Sequence, residues 1–393
     1  MQSQVLWAGR GQRLSQVKRF HLGHPKRNAG KRAIGSICGR SETCRPISRF
    51  AQMARSDLFV IGGSAGAIDA LRTIIGGLPD DFPSAICVVV HVAADSPGVL
   101  PQILSRSGSL RAVLARHGQK LTPGCIHVAP PDHHLLLDGD DTLQLGHGPK
   151  ENRFRPAIDP LFRSAALNRG SRVTGVILTG GLDDGVAGLA AIKQFGGGAI
   201  VQDPQHAEAP SLPRAALRAV NADRVLRVGQ IAEAMIEFSR SFEPVAFTGA
   251  GTAGHDAKQE VSYARGAPLH LDRLRELGDP SLFTCPDCHG ALIRVKGAEP
   301  ARFRCHTGHA YTLESLVRSA GERVEFELWD AVRALEEYAA LHDQAATAMS
   351  KDADAVRRHE AEADLARARG DVLRKILVGS EAAGLSGSTQ VDG

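Results

Sequence analysis

Aromatic residues make up only 5% of the chain, and no apolar run approaches the roughly 20 residues needed to span a bilayer. The N-terminus also lacks the apolar core of a secretory signal. Membrane insertion is therefore not expected, and a cytoplasmic location is. Cysteine is too sparse for a disulfide framework: there are seven, an odd number, three of them close together near position 300. That clustering is a metal pattern and fits a reducing compartment. Acidic and basic residues nearly balance, at +4, but unevenly. Residues 1–55 hold twelve Lys and Arg against one acid, Glu42, an excess of eleven, so the remainder is net −7. A mildly acidic body has no overall electrostatic claim on nucleic acid.

What is present is globular: 43% hydrophobic and 23% charged residues over 393 positions, enough for two or three domains. Residues 1–55 show no sustained period and read as a disordered basic leader. Met53 stands just before ordered sequence begins, and a chain starting there is expected. From 56 to 240, apolar runs alternate with amphipathic stretches. Candidate strands are Leu58–Ile61, Ile86–Val90, Val113–Ala115, Cys125–Ala129, Val176–Thr179, Ala199–Gln202 and Val225–Val228. Candidate helices are Ala67–Gly76, Val99–Arg106, Ile158–Asn168, Val186–Phe195, Pro213–Val220 and Gln230–Arg240. Nearly all-apolar strands alternating with helices indicate an α/β fold, a three-layer, doubly wound, mostly parallel sheet. Leu135–Leu145 interrupts the rhythm as a hairpin closed by an acidic turn. Residues 241–280 read as a linker and 281–313 as a small cysteine-containing module. Residues 320–380 read as a C-terminal α-hairpin, with one apolar stripe at Leu328, Val332, Leu335 and Ala339 and another at Leu365, Val372 and Ile376. The residues from Gly384 read as disordered.

The chain is organised around Phe59-Val60-Ile61-Gly62-Gly63-Ser64-Ala65-Gly66-Ala67, a strand, a tight turn and a helix. Ser64 lies in a Gly-x-Ser-x-Gly frame, where flanking glycines let the backbone turn sharply and hold out a nucleophile. The alternative, a phosphate-binding turn, is weakened because the stretch spells neither G-x-G-x-x-G nor G-x-x-x-x-G-K-[ST]. In an open parallel sheet, ligands bind beyond the carboxyl ends of the strands. Ser64 follows the first apolar run, His91 follows Cys87–Val90, and Asp184 follows Val176–Thr179 through Gly180-Gly181-Leu182-Asp183. A hydroxyl, an imidazole and a carboxylate thus reach one rim, as a serine hydrolase requires. His206 lies in a loop with no strand directly before it, so His91 is the preferred base.

Several further segments lie in a telling order: Ile126–His134, Asn152-Arg153-Phe154-Arg155-Pro156-Ala157-Ile158-Asp159-Pro160-Leu161-Phe162, Val176–Gly185 and Val201-Gln202-Asp203-Pro204. With Val60–Gly66 and Val90-His91-Val92, they make residues 57–240 resemble the catalytic domain of the chemotaxis protein-glutamate methylesterases, the CheB type. The resemblance implies Ser64 as nucleophile, His91 as base and Asp184 as its orienting carboxylate. It implies hydrolysis of glutamate methyl esters on chemoreceptor helices with release of methanol, and deamidation of receptor glutamines. A methylated chemoreceptor is the implied partner, a methyltransferase the implied counterpart, and no cofactor is needed for catalysis. Backbone N–H groups of Ala65 and Gly181 are the candidate oxyanion donors, and Arg153 and Arg155 the candidate substrate-facing cations. Two departures stand out. Residues 1–55 are too short for the family's usual receiver domain, so gating by a receiver in the same chain is not expected. Gly181-Leu182-Asp183 replaces the usual Met-Gly-Asn, and Asp183 would raise the His91 pKa if its carboxylate faced the ring.

Cys285-Pro286-Asp287-Cys288 and Cys305-His306-Thr307-Gly308-His309 supply three thiolates and an imidazole, with spacings that suit a structural zinc. His289 and His306 directly adjoin cysteine ligands and are awkward as further ligands. A CPxC…FRCxxGHxY segment of this kind is similar to one at the C-terminus of some receiver-less methylesterase-like proteins. Two other readings compete with the hydrolase. One is a catalytically idle adaptor that uses this module and the C-terminal helices, which also offer an oligomerisation surface. The other is a nucleic-acid binder led by the basic leader and the zinc-ribbon-like module.

Overall fold

The computed structural model describes residues 56–241 and 252–382. The expected leader and the residues from Gly384 lie outside them. Elements follow in chain order: β1 (Leu58–Gly63), α1 (Ala67–Gly76), β2 (Ala85–Val90), α2 (Leu100–Ser105), β3 (Arg111–Leu114) and β4 (Cys125–Val128). The hairpin is β5 (His134–Leu137) and β6 (Leu143–Gly146), followed by α3 (Ile158–Arg169), β7 (Val173–Ile177), α4 (Val186–Gln194), β8 (Gly198–Gln202), α5 (Ser211–Ala219), β9 (Arg224–Leu226) and α6 (Val228–Arg240). Seven strands form one sheet in the order β3-β4-β2-β1-β7-β8-β9, and every pairing in it is parallel.

Period-two alternation explains the layers. Phe59, Ile61, Ile86, Val88, Val90, Ile126 and Val128 point to one face and pack with Leu71, Ile74, Leu104, Ile231 and Met235 of α1, α2 and α6. Leu58, Val60, Cys87 and Val89 point to the other and pack with Leu161, Phe162, Leu189 and Leu212 of α3, α4 and α5, along with Leu135 and Leu143 of the hairpin. Burial on both faces is why these strands read as continuous apolar runs. β7 starts three residues earlier than expected because Thr174 is buried, its hydroxyl 2.6 Å from that of Ser56. A polar residue there hides the strand's start from an apolarity reading.

The C-terminal part departs most from the sequence reading. The expected linker 241–280 carries α7 (Thr252–Ala264) and α8 (Leu271–Leu277), while residues 242–251 lie outside the described chain. α7 packs on α3 and the hairpin through Val261, Ala264 and Leu136. β10 (Gly278–Thr284), β11 (Ala291–Val295), β12 (Arg302–Cys305) and β13 (Ala310–Thr312) form an antiparallel sheet in that order. This module is not a bead on a string. Arg302 and Arg304 of β12 reach Glu151 and Glu260, which also hold Arg163 of α3. All five side chains are nearly excluded from solvent. Burial pushes the Glu151 carboxyl up, but the charges of Arg163, Arg304 and Arg302 overcome it and hold the group below its ordinary value. Removing one member of such a cluster leaves uncompensated buried charge, so the module and the parallel sheet are tied together.

The helical hairpin is α9 (Leu313–Ala348) and α10 (Ala353–Ala382). α9 starts earlier than the expected 320 because Thr312 caps it: its hydroxyl accepts the Ser315 N–H at 3.1 Å. Val332 and Ala339 are buried as expected. The expected α10 stripe is not: Leu365, Val372 and Ile376 face solvent, while Ala363 and Ala366 meet Ala339. Small side chains let the two helices approach closely, and that closeness selects the alanine face over the branched one.

Candidate active site

Strand register brings the rim residues together. Gly63 of β1 pairs with Val90 of β2, and the His91 N–H donates to Gly63 O at 3.4 Å. Ser64 and His91 are therefore the next residues on adjacent strands. On the other side of β1, the Ser64 N–H donates to Thr179 O at 3.0 Å, tying the serine to the β7 exit loop that leads to Asp184. Gly66, at φ 74°, turns the chain into α1 in a conformation that favours glycine. Gly62 permits the closest approach: a Cβ there would lie 2.3 Å from Ile158 Cγ2, so the α3 N-terminus sits directly against β1.

His91 Nε2 lies 2.7 Å from Asp184 Oδ2, with the two side chains 4% and 0% exposed. With Nε2–H donating to the carboxylate, Nδ1 is left as the acceptor, and it is buried without a hydrogen-bond partner. Phe154 stacks on the imidazole at 3.6 Å between centroids and 7° between planes, fixing the ring's orientation. Asp184 receives more than the histidine. Its Oδ2 accepts the Ile158 N–H at 2.6 Å, and its Oδ1 accepts Asn152 Nδ2 at 2.9 Å and, more weakly, the Asp159 N–H at 3.4 Å. The two N–H groups are free donors at the start of α3, where the helix dipole favours an anion. Burial pushes the Asp184 carboxyl up, but the His91 bond and charge and these donors together hold it below its ordinary value.

Ser64 is half-buried and Ala65 exposed. Among the described residues, the N–H groups of Ala65 and Gly181 have no acceptor, and the Ser64 hydroxyl makes no hydrogen bond. Gly180 abuts the serine: a Cβ there would lie 3.0 Å from Ser64 Cβ. Two backbone N–H groups without acceptors thus lie next to the serine and one residue beyond the glycine that abuts it. Leu182 takes φ 60°, a left-handed conformation that glycine adopts more readily than leucine.

The two candidate substrate-facing arginines each meet an acid of the protein. Arg155 is 16% exposed, bonded by Nε and Nη2 to Asp132 Oδ1 at 2.9 and 2.7 Å and by Nη1 to Gly148 O at 2.8 Å. Arg153 forms a two-point pair with Glu322 of α9, one contact at 3.1 Å. An intramolecular acid for each explains why neither stands free.

Asp183 directs Oδ1 to the Thr312 hydroxyl at 2.6 Å, across to the α9 cap. Burial raises its pKa to about 7, the Thr312 bond opposes this, and the nearby Glu314, Asp159 and Asp184 charges add to it. Sequence reasoning missed Asn152, Asp159, Phe154 and Thr312. Asp159 is fully buried and accepts the Gly188 N–H at 2.6 Å, locking α4 onto the same corner. The signal available was the run of polar residues in Glu151-Asn152-Arg153 just before a helix start.

The four cysteine-module residues meet as expected. The ligand atoms of Cys285, Cys288, Cys305 and His309 all lie within 4.8 Å of one another. Cys288 Sγ is 3.6 Å from Cys305 Sγ, and His309 Nδ1 is 3.6 Å from both Cys285 Sγ and Cys305 Sγ. Zn–S and Zn–N bonds of about 2.3 and 2.0 Å at tetrahedral angles put ligand atoms roughly 3.5–3.8 Å apart. The donor set therefore fits a zinc ion, and the sulfur separation excludes a disulfide.

The raised Asp183 pKa has a stability consequence. Between about pH 4 and pH 7 the folded carboxyl holds a proton that the unfolded one has lost, so stability falls as pH rises through this window. Asp183→Asn removes that loss. The melting temperature of the variant, relative to the native protein, is expected to rise from pH 5 to pH 8; an unchanged difference would show that the carboxyl ionises normally.

The CheB methylesterase family profile matches residues 59–235. A Leptospira interrogans protein provisionally designated protein-glutamate methylesterase/protein-glutamine glutaminase is 40% identical over 185 residues, 47% of this chain and 96% of that one. An Anaeromyxobacter dehalogenans protein named protein-glutamate methylesterase/protein-glutamine glutaminase 2 is 39% identical over 212 residues, 54% of this chain and 61% of that one. The crystal structure of the Thermotoga maritima CheB methylesterase catalytic domain aligns at 33% identity, over 46% of this chain and 98% of that one, with a TM-score of 0.45. Through its parallel-sheet domain, the chain belongs to the CheB methylesterase family.

Proposed function

We propose that this protein hydrolyses glutamate γ-methyl esters on chemoreceptor-type signalling proteins, releasing methanol, and deamidates glutamine side chains at the same site. The observation that carries the reading is the 2.7 Å bond between His91 and Asp184, with Ser64 the next residue past the end of the strand that pairs with the one leading to His91. Ser64 Oγ attacks the ester carbonyl carbon as its proton passes to His91 Nδ1, the ring nitrogen left without a partner. Asp184 holds the tautomer and stabilises the imidazolium. The oxyanion takes hydrogen bonds from the Ala65 and Gly181 N–H groups. Collapse breaks the C–O bond, methoxide takes the proton from His91, and methanol leaves. Water, deprotonated by His91, then cleaves the glutamyl–Ser64 ester to free glutamate and serine. On a glutamine side chain the leaving group is ammonia.

A peptide carrying a glutamate γ-methyl ester tests this through the methanol it releases. Ser64→Ala and His91→Ala are expected to lose nearly all turnover with the fold retained. Asp184→Asn is expected to lose several orders of magnitude, about 10⁴ by analogy with the reference serine protease. Full activity in Ser64→Ala would end the reading and leave the adaptor alternative.

Cys285, Cys288, Cys305 and His309 would hold one structural zinc in a closed tetrahedral shell with no open position for substrate. The ion would supply folding energy to the β10–β13 module rather than chemistry. Elemental analysis of protein purified without added metal is expected to give about one zinc per chain. Metal-free protein with an ordered module would contradict this.

A further inference from the structure

Asn152 is 2% exposed and takes φ 49°, a left-handed conformation that asparagine tolerates better than most residues. Its amide faces two ways. Nδ2 donates to Asp184 Oδ1 at 2.9 Å and to Asp159 Oδ2 at 3.0 Å. Oδ1 accepts the Thr312 N–H at 2.9 Å and the Ser315 hydroxyl at 3.2 Å. Both amide protons and both carbonyl lone pairs are used. This sets the amide's orientation, since a flipped group would turn its oxygen toward two carboxylates. The Asn152 N–H also donates to Ala310 O at 2.8 Å, and Thr312 Oγ1 bonds Asp183, the residue before the triad carboxylate. The cap of α9, 160 residues from Asn152 along the chain, thus holds Asn152 from behind and Asp183 from the side.

We propose that Asn152 is a positioning residue for Asp184 and that the Thr312–Ser315 turn of the C-terminal module holds it in place, which makes the module a working part of the esterase. The inference rests on the triad reading above. Asp184 reaches its His91 geometry through donors on three sides. Two of them, the Ile158 and Asp159 N–H groups, belong to α3, whereas Asn152 sits in a left-handed turn whose backbone N–H and amide oxygen are held by the module. If the cap is loosened, the amide is free to turn, the carboxylate rotates, and His91 loses its fixed tautomer.

The test uses the full chain and a glutamate γ-methyl ester peptide, with melting temperature measured alongside. Asn152→Asp keeps the shape and the backbone conformation but turns a donor into an acceptor. It is expected to lower kcat about 10- to 100-fold with KM nearly unchanged. Thr312→Val is expected to lower kcat in the same pattern, and Thr312→Ser to restore it. Ser315→Ala, which removes one hydroxyl, gives the same readout should Thr312→Val fail to fold. Folded Asn152→Asp and Ser315→Ala proteins with native kcat, beside an inactive Ser64→Ala, would overturn the positioning role alone. An active Ser64→Ala would overturn the triad reading and this inference with it.

Discussion

The rim is built around a buried charge. Asp184 has no exposed surface, and a carboxylate taken out of water is costly unless donors replace the lost hydration. Here the donors come from His91, from the first turn of α3 and from Asn152. Meeting that demand fixes much of the local architecture. It draws the α3 N-terminus against β1, where Gly62 gives way, and it needs a left-handed asparagine in the approach to α3. Charge and tautomer are settled together: the carboxylate stays ionised because it is surrounded by donors, and the imidazole keeps Nδ1 open because Nε2–H is taken.

Around this corner lie carboxyls in different electrostatic settings. Burial and the Asp184 charge raise the pKa of Asp159, and burial raises that of Asp183, while Asp184 is held low. Such splitting among neighbouring acids makes Asp184 the one that keeps its charge furthest into acid. The Asp183 carboxyl meets a hydroxyl of the C-terminal module instead of the His91 ring. The same module supplies Arg302 and Arg304 to the buried cluster behind α3. The parallel sheet and the cysteine module thus share polar contacts at two places.

The parallel sheet was legible because its strands are buried on both faces and read as apolar runs, each ending where polarity begins. Ser64, His91 and Asp184 were legible as candidates because each lies in the polar stretch that follows an apolar run, and the structure joins the last two. Cys285, Cys288, Cys305 and His309 were legible because metal-ligand spacing is local in sequence. Asn152, Thr312 and the Glu151–Arg304 cluster were not, since their meaning lies in partners more than 150 residues away. The surroundings of Arg153 and Arg155 were not legible either: whether a cation meets an acid depends on tertiary structure, and here it supplies Glu322 and Asp132. The α10 stripe misled because close helix contact prefers alanine over the larger side chains that a periodicity reading rewards.

The His91–Asp184 pair is expected to activate one serine among all those in the chain. Mass spectrometry after brief reaction with a fluorophosphonate, which phosphonylates activated serine hydroxyls with loss of fluoride, addresses it directly. A single adduct per chain is expected, located on Ser64 and absent when His91 is replaced by alanine. An unmodified Ser64, or equal labelling in the His91→Ala protein, would contradict it.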